Sequence, residues 1–150
     1  MPAILPFTGE IPRHAISQGY VQYVEQPIQF ITLDGTFRVI PDMTINASID
    51  ATADVLQIFR CNGTVFGFKP SASDVLEFRL RRGSNVSPII QNIGLDPSND
   101  VWNGAVMMFW GWTGVSEGTH TFSVEARMPG GTAPVSILTR LHHVVVALKK

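Results

Sequence analysis

Histidine is the residue type in this chain that could most readily bind a metal or transfer a proton. The chain has His14, His120, His142 and His143. His142 and His143 are adjacent, so in a strand their side chains point to opposite faces and cannot easily share one ion. No cysteine or pair of carboxylates lies at ligand spacing nearby, so we expect neither a metal site nor a cofactor. The histidines are expected to pack at a sheet surface or a subunit interface.

The residues that could act as nucleophiles or acid–base pairs lack the surroundings that such chemistry requires. Cys61 is the single cysteine, and it precedes a predicted turn rather than a helix start, where its pKa would fall. We expect it to be a small buried side chain. Gly114-Val115-Ser116-Glu117-Gly118 matches the Gly-x-Ser-x-Gly pattern, but it lies between two predicted strands, whereas a nucleophile elbow joins a strand to a helix. Glu77 and Glu125 are expected to face solvent rather than to share a cleft, as a glycosidase pair would. We therefore predict that the chain is not an enzyme.

The charged residues give no electrostatic argument for nucleic acid or membrane as a partner. The chain has 150 residues, a formal net charge of −1, 45% hydrophobic residues and 15% charged residues. Ordinary soluble proteins carry about 25% charged residues, so the deficit favours a surface partly covered by protein partners. Arg79, Arg81 and Arg82 could contact an acidic partner or form a solvated sheet face that Glu77 partly offsets. The apolar run near residues 106–112 is far shorter than the roughly 20 residues that span a bilayer.

Short segments of strand character, joined by glycine, proline and asparagine turns, make up most of the chain. This pattern predicts an all-β fold, an antiparallel β-sandwich. Apolar and polar side chains alternate over residues 43–50 and 76–81, as in half-buried strands. Asn62-Gly63 favours a hairpin turn, and Asp34-Gly35 favours a second tight turn. The predicted strands are residues 30–33, 36–40, 43–50, 55–60, 64–68, 76–81, 89–93, 105–112, 119–128 and 138–148.

The first 29 residues differ from the rest of the chain. Pro2, Pro6, Pro12 and Pro27 favour an extended backbone that cannot form a continuous ladder of hydrogen bonds. The segment is nevertheless too apolar for a solvated tail. We therefore predict an extended N-terminal arm at residues 1–29 and a β-sandwich domain at residues 30–150. The arm residues expected to bind the sandwich itself or a neighbouring subunit are Ile4, Leu5, Phe7, Ile11, Tyr20 and Tyr23.

The run over residues 105–112 is apolar on both faces of any strand that it forms, whereas the next strand alternates. A strand that is apolar on both faces needs a covering layer or subunit on each side. Trp110 and Trp112 share one face and Phe109 lies on the other, and such large aromatic residues would promote aggregation if exposed. Either this strand lies at an oligomer interface, or Trp102, Trp110 and Trp112 form a ligand-stacking surface, as in a lectin. We favour the interface, and assign to it Phe109, Trp110, Trp112, His120 and Phe122.

Three segments resemble the jelly-roll of the tumour necrosis factor-like and complement-globular-head-like superfamily. Residues 75–83 resemble its strand with an x-Phe-x-Leu-x-x-Gly turn. Residues 117–127 resemble its Gly-x-His-x-Φ-x-Φ strand, where Φ is apolar. Residues 138–148 resemble its closing Arg-x-Leu-x-Φ-x-Φ strand, with the departure that Leu141 follows Arg140 directly. The resemblance implies a jelly-roll of about 8–10 strands that forms a homotrimer and has no catalytic residues.

Compact chains of this kind, without collagen repeats or a secretion signal, are similar to phage virion proteins. The resemblance implies a capsid decoration (cement) protein that binds the assembled head and stabilises it by mass action. Its partners would be itself and the major capsid protein or another virion protein. The alternative is the receptor- or glycan-binding tip of a phage fibre. We expect synthesis in the host cytoplasm and a final location on the capsid surface of the virion.

Overall fold

The computed structural model describes residues 10–11, 19–66, 75–88, 90–94, 101–129 and 133–149. These residues form strands and connecting turns, with no helix among them. The strands are β1 (Glu10–Ile11), β2 (Gly19–Leu33), β3 (Arg38–Ile49), β4 (Ala53–Phe66), β5 (Val75–Arg82), β6 (Asn85–Val86), β7 (Gln91–Gly94), β8 (Val101–Val115), β9 (Gly118–Arg127) and β10 (Ala133–Lys149).

The strands form two antiparallel sheets that pack face to face. Sheet A has the order β1-β2-β10-β4-β8, and sheet B has the order β3-β9-β5-β6, with β7 also paired to β5. Successive long strands alternate between the two sheets, so that β2, β4, β8 and β10 lie in one and β3, β5, β7 and β9 in the other. This is the strand order of a jelly-roll. The predicted all-β antiparallel sandwich is confirmed.

The hydrophobic core lies between the two sheets. Strand β3 alternates buried and exposed side chains from Met43 to Ile49, as predicted. In β5, Leu76, Phe78 and Leu80 are fully buried. A side chain of this size contributes about 1.5–3 kcal/mol when it is fully buried, so these inward rows hold the two sheets together.

Strand β4 runs without a break through Asn62-Gly63, where the sequence predicts a hairpin. Asn62 pairs with Ala105 of β8 on one side and with Thr139 of β10 on the other. The predicted hairpin is therefore wrong. Continuous pairing with a strand on each side outweighs the local preference of Asn-Gly for a turn.

The turn predicted at Asp34-Gly35 is present, but it connects the two sheets rather than two paired strands. The Asp34 side chain accepts a hydrogen bond from the Thr36 backbone at 2.8 Å and forms an ion pair with Arg38. The Arg38 hydrogen bond lowers the pKa of Asp34. The Asp34 carbonyl accepts a hydrogen bond from the Met128 backbone at 2.7 Å, which fixes the turn to the end of sheet B.

Strand β2 begins earlier than the predicted strand at residues 30–33. It pairs with β10 from Gly19 to Leu33, and β1 pairs with its N-terminal part. Ile11, Tyr20 and Tyr23 therefore have their backbones in sheet A, while their side chains lie outside the described part of the structure. The arm residues that lie wholly outside the described residues are Ile4, Leu5 and Phe7. The division into an arm and a domain at residue 30 stays a prediction.

Candidate functional site

The side of sheet A that points away from the core, here called outer face A, carries apolar rows that cross several strands. Phe109 of β8, Ile58 of β4 and Val144 of β10 are cross-strand neighbours in one such row. Because side chains alternate along a strand, residues two positions away lie on the same face. The apolar part of outer face A consists of Leu56, Ile58, Met107, Phe109, Val144, Val146 and Leu148.

Two side chains of β8 are unusually exposed for their size. Met107 is 69% exposed and Phe109 is 66% exposed, whereas Val106 and Met108, which point inward, are 2% and 1% exposed. The strand is thus apolar on both faces, as predicted, but the described residues cover only one of them. Contiguous exposed apolar surface of this kind marks interaction sites. Outer face A is therefore the candidate functional site.

The structure separates the residues that the sequence assigns to an oligomer interface. Phe109 lies on outer face A. Trp110 is half-buried and packs against the core, and Trp112 and Phe122 are core residues, 8% and 0% exposed. His120 is half-buried near the turn between β8 and β9. Only Phe109 of this set belongs to the exposed apolar surface, although alternation along β8 would have pointed to Met107 as its partner.

A polar network holds Trp112 inside the core. Its indole Nε1 donates to Gln57 Oε1 at 2.9 Å, and Gln57 Nε2 donates to the Ser123 carbonyl oxygen at 3.0 Å. Gln57 Nε2 also lies 2.9 Å from His143 Nε2. Because Gln57 Oε1 accepts from tryptophan, Nε2 carries both amide hydrogens, and His143 Nε2 has to accept the second one. The network thus fixes His143 as neutral, with its proton on Nδ1.

His143 has no exposed surface, and burial lowers its pKa to about 3, an effect that the backbone of Met43 only partly offsets. Its Nδ1 has no hydrogen-bond partner within 3.5 Å among the described residues. The prediction that neighbouring His142 and His143 face opposite sides is confirmed, since His142 is only half-buried on outer face A. Among the described residues, no group of three or more His, Cys, Asp or Glu side chains could hold a metal.

The buried position of Trp112 also bears on the ligand-stacking alternative. Its ring is 8% exposed and meets the Trp110 ring edge-on, with centroids 6.4 Å apart and an interplanar angle of 73°. A sugar stacks on an exposed aromatic face, which Trp112 does not offer. The side chain of Trp102 lies outside the described residues.

The opposite side of the molecule, outer face B of sheet B, is covered by its own charged side chains. Glu125 is 2% exposed and pairs with Arg79 at 2.6 Å and Arg81 at 2.8 Å. Glu77 is 7% exposed and pairs with Arg127 at 2.6 Å. The prediction that both glutamates face solvent is wrong, because the register of β5 and β9 places arginines beside each carboxylate.

Phe37, which follows the turn between the sheets, extends this cover. The guanidinium carbons of Arg79 and Arg127 lie 3.8 and 4.3 Å from the centroid of its ring. Cation–π contacts of this kind contribute about 0.5–2 kcal/mol each, depending on how dry they are. The charged part of outer face B is therefore held by contacts within the chain.

The depressions in the described surface include the following two. One, of about 250 Å³, lies on outer face A and is lined by residues that include Arg60, Met107 and Arg140. Cys61 lies at its floor, 2% exposed, and burial raises its pKa to about 12, so it is the buried side chain that was predicted. The other, of about 410 Å³, is a polar cleft at one end of the sandwich, beside Arg82. The described residues contain no helix that could cross a membrane.

Comparison with known proteins finds low similarity to other β-rich structures and does not assign the chain to a family. No protein-family model matches the chain, and no curated protein matches it. One similar structure is dimeric latent PorU from Porphyromonas gingivalis, with 8% identity and a TM-score of 0.40 over 84% of this chain and 13% of that one. A second is the C-terminal CBM6 of LamC, a marine laminarinase from Zobellia galactanivorans, with 14% identity and a TM-score of 0.35 over 83% and 94% of the two chains.

A third similar structure is that of infectious bursal disease virus, Gx strain, with 9% identity and a TM-score of 0.38 over 88% of this chain and 36% of that one. The chain therefore spans only a small part of the PorU chain and about a third of the viral one. Likeness at this level does not confirm the tumour necrosis factor-like resemblance, and it assigns no function.

Proposed function

We propose that this chain is a non-enzymatic structural protein that self-associates through outer face A. The observation that carries the proposal is the exposure of Met107 and Phe109, 69% and 66%, at the edge of an apolar sheet face. Following the resemblance of its strand motifs, we further propose that it is a homotrimeric decoration protein of a phage capsid.

The size of outer face A supports a protein partner. Strands lie about 4.8 Å apart and rise about 3.3 Å per residue, so the outer side of the four long strands of sheet A, apolar and polar parts together, measures roughly 800 Å². Each partner in a standard protein interface buries about 800 Å². A flat apolar sheet face is also the surface on which a second sheet packs. A second copy of the chain, which carries the same kind of surface, fits these requirements.

The contrast with outer face B supports the assignment of the interface to sheet A. Outer face B places its charges in ion pairs within the chain, and covering it would require desolvating them. Covering outer face A removes apolar surface from water, which is favourable by about 25 cal/mol per Å² before the cost of association.

In the proposed role, assembly would place the trimer on the capsid surface, where it binds the major capsid protein or another virion protein. A protein that binds the assembled shell and not its separated subunits stabilises the shell by the free energy of binding. No catalytic group is needed for this role.

Native mass spectrometry and sedimentation equilibrium test self-association. We expect the wild-type chain to form a trimer, and Phe109→Glu to weaken its assembly by about 100-fold or more, because a carboxylate would be buried without a partner. Val86→Glu is the matched control, since Val86 is 43% exposed but belongs to sheet B. A wild-type chain that stays monomeric at the highest attainable concentration would overturn the proposal, and a stable dimer would overturn the trimer.

The decoration role requires a second experiment. Heads of the phage that encodes the chain, prepared without it, are mixed with the purified protein and collected by sedimentation. We expect saturable binding and a rise in the temperature at which the heads disrupt. Heads that bind no protein, or bind it with no gain in stability, would contradict the decoration role while leaving self-association intact.

A further inference from the structure

A charged row borders the apolar rows of outer face A. Met107 of β8, Arg60 of β4, His142 of β10 and Glu25 of β2 are successive cross-strand neighbours. An Arg60 Nη2 donates to His142 Nε2 at 3.3 Å, and His142 Nε2 lies 3.6 Å from a Glu25 carboxylate oxygen. Outer face A therefore changes from apolar to polar across this row.

Arg140 lies beside this row in an unusual backbone conformation. Thr139 pairs with Asn62 and His142 pairs with Arg60, so β10 has two residues between these pairs where β4 has one. This is a β-bulge, and Arg140 within it has a φ of 52°. A residue other than glycine in this region costs about 1 kcal/mol or more. Bulges with such strain are common beside functional sites, where they direct a side chain.

Arg60 and Arg140 line the same depression and lack a carboxylate partner among the described residues. Both side chains are exposed. A carboxylate pairs with each of Arg38, Arg79, Arg81 and Arg127. Arg82, at the other depression, instead has its guanidinium carbon 5.5 Å from the centroid of the Trp112 ring.

We propose that Arg60 and Arg140 form a carboxylate-binding site that takes an acidic side chain from a second copy of the chain. The inference rests on the proposed function, because the site continues the face through which the copies would associate. If a second copy covers this face, two guanidinium groups lose their water, and an unpaired buried charge is strongly destabilising. The covering copy therefore has to bring a negative group to this position.

The chemistry of the depression favours a carboxylate of a protein over other anions. A guanidinium group donates two parallel hydrogen bonds to a carboxylate, and two such groups can hold both of its oxygens. Met107 at the rim offers an apolar contact for the methylene groups of an Asp or Glu side chain. Nucleic acid would need a wider basic surface than these two arginines, on a chain whose net charge is −1. Glu117, which is exposed, is one acidic residue that could supply the carboxylate.

Arg140→Gly separates binding from folding. Glycine accepts a φ of 52° without strain, so the variant should unfold at the same or a higher temperature than the wild type. It removes one guanidinium group, so we expect self-association to weaken by about tenfold or more. Arg60→Gln should weaken self-association by a similar factor. Arg140→Lys should weaken it less than Arg140→Gly does, since lysine keeps the charge but not the paired donors. Arg82→Gln, at the other depression, is the control and should leave assembly unchanged.

A titration with citrate tests the same site by a second route. We expect citrate to dissociate the wild-type assembly more than chloride does at equal ionic strength, and to lose this effect in Arg140→Gly. Citrate could bind through the two arginines while neither citrate nor the arginine variants change assembly. That result would overturn the second copy as the source of the carboxylate. Assembly that is unaffected by Arg60→Gln, Arg140→Gly and citrate would overturn the site. If the wild-type chain is monomeric, the proposed self-association fails, and so does the proposal that a second copy supplies the carboxylate. Citrate binding would then still show whether Arg60 and Arg140 bind a carboxylate.

Discussion

The two outer faces of this sandwich are built from the same kind of strands but treat their exposed side chains in opposite ways. On outer face B, Glu125 and Glu77 are 2% and 7% exposed because arginines of neighbouring strands cover them. On outer face A, Met107 and Phe109 are 69% and 66% exposed. The buried carboxylates of one face are paired within the chain, and the other face presents apolar surface without a cover from the described residues.

This difference predicts that outer face B contributes to the stability of the fold and outer face A to association. Substitutions on outer face B should lower the stability of the fold and leave association unchanged. Substitutions on outer face A should weaken association and leave the stability of the single chain unchanged. The Glu125 and Phe109 variants below would contradict the comparison if the two effects exchanged places.

The largest effect is expected for Glu125→Ala on outer face B. The variant removes the carboxylate that holds Arg79 and Arg81. We expect the free energy of unfolding to fall by about 3 kcal/mol, the lower end of the range for a broken buried pair, because the arginines keep some contact with water. Urea denaturation monitored by tryptophan fluorescence measures this loss.

Arg38→Ala is the matched control for Glu125→Ala. Its ion pair with Asp34 is exposed, with side-chain exposures of 52% and 29%, so we expect a loss below about 1 kcal/mol. Equal losses in the two variants would mean that outer face B is an ordinary solvated surface. The comparison between the faces would then fail.

The charge network of outer face B also shows why sequence patterns reach only part of this fold. Alternation identified the buried side of β3 and of β5, because one face of a strand repeats every second residue. It placed Glu77 and Glu125 on the outer side, but it did not predict that they are buried there. Their burial depends on the register between β5 and β9, which brings Arg79 opposite Glu125, some 46 residues away in the chain. Local patterns contain no information about that register.

The second largest effect concerns His143 in the core between the faces, through which acid should lower the free energy of unfolding. The pKa of His143 is 6.5 in an ordinary environment and about 3 in the fold. Below pH 6.5 the unfolded chain binds a proton that the folded chain excludes, so stability falls with falling pH, and above pH 6.5 this group has no effect. We expect a loss of about 2 kcal/mol between the ordinary pKa and about pH 5, measured by urea denaturation at each pH.

The variant His143→Gln should abolish this pH dependence even if it is less stable overall, because the slope and not the absolute stability reports the proton. His142→Gln, one position away and on outer face A, should keep the slope. A wild-type chain with flat stability across this range would show that the Gln57 network tolerates a charged His143.

The third effect tests how outer face B is closed. Phe37→Ala removes the ring that lies 3.8 and 4.3 Å from the guanidinium groups of Arg79 and Arg127. We expect a loss of about 1 kcal/mol in the free energy of unfolding, since both cation–π contacts are partly exposed. Phe37→Leu keeps the apolar cover without the aromatic face and should recover less than half of the loss. A full recovery would show that the ring acts by apolar contact alone.

The candidate site was predicted in outline and missed in detail, for a related reason. The sequence identified the strand at residues 105–112 as apolar on both faces, but assigned Trp110, Trp112 and Phe109 together to an interface. Strand alternation alone separates Phe109 from the two tryptophans and groups it with Met107. Arg140 could not have been found in this way, because the bulge that holds it depends on its pairing with β4.

The smallest effect is expected on outer face A, and it decides the comparison most directly. Phe109→Ser replaces a side chain that is 66% exposed, so in dilute solution, where the chain is monomeric, the free energy of unfolding should change by less than about 0.5 kcal/mol. At concentrations where the wild type is assembled, the wild type should gain stability with concentration and the variant should not, because association stabilises only the folded state. Urea denaturation at two protein concentrations therefore measures both terms in one experiment. If the dilute variant lost as much stability as Glu125→Ala, Phe109 would stabilise the single chain. The argument that outer face A is the interface would then fail.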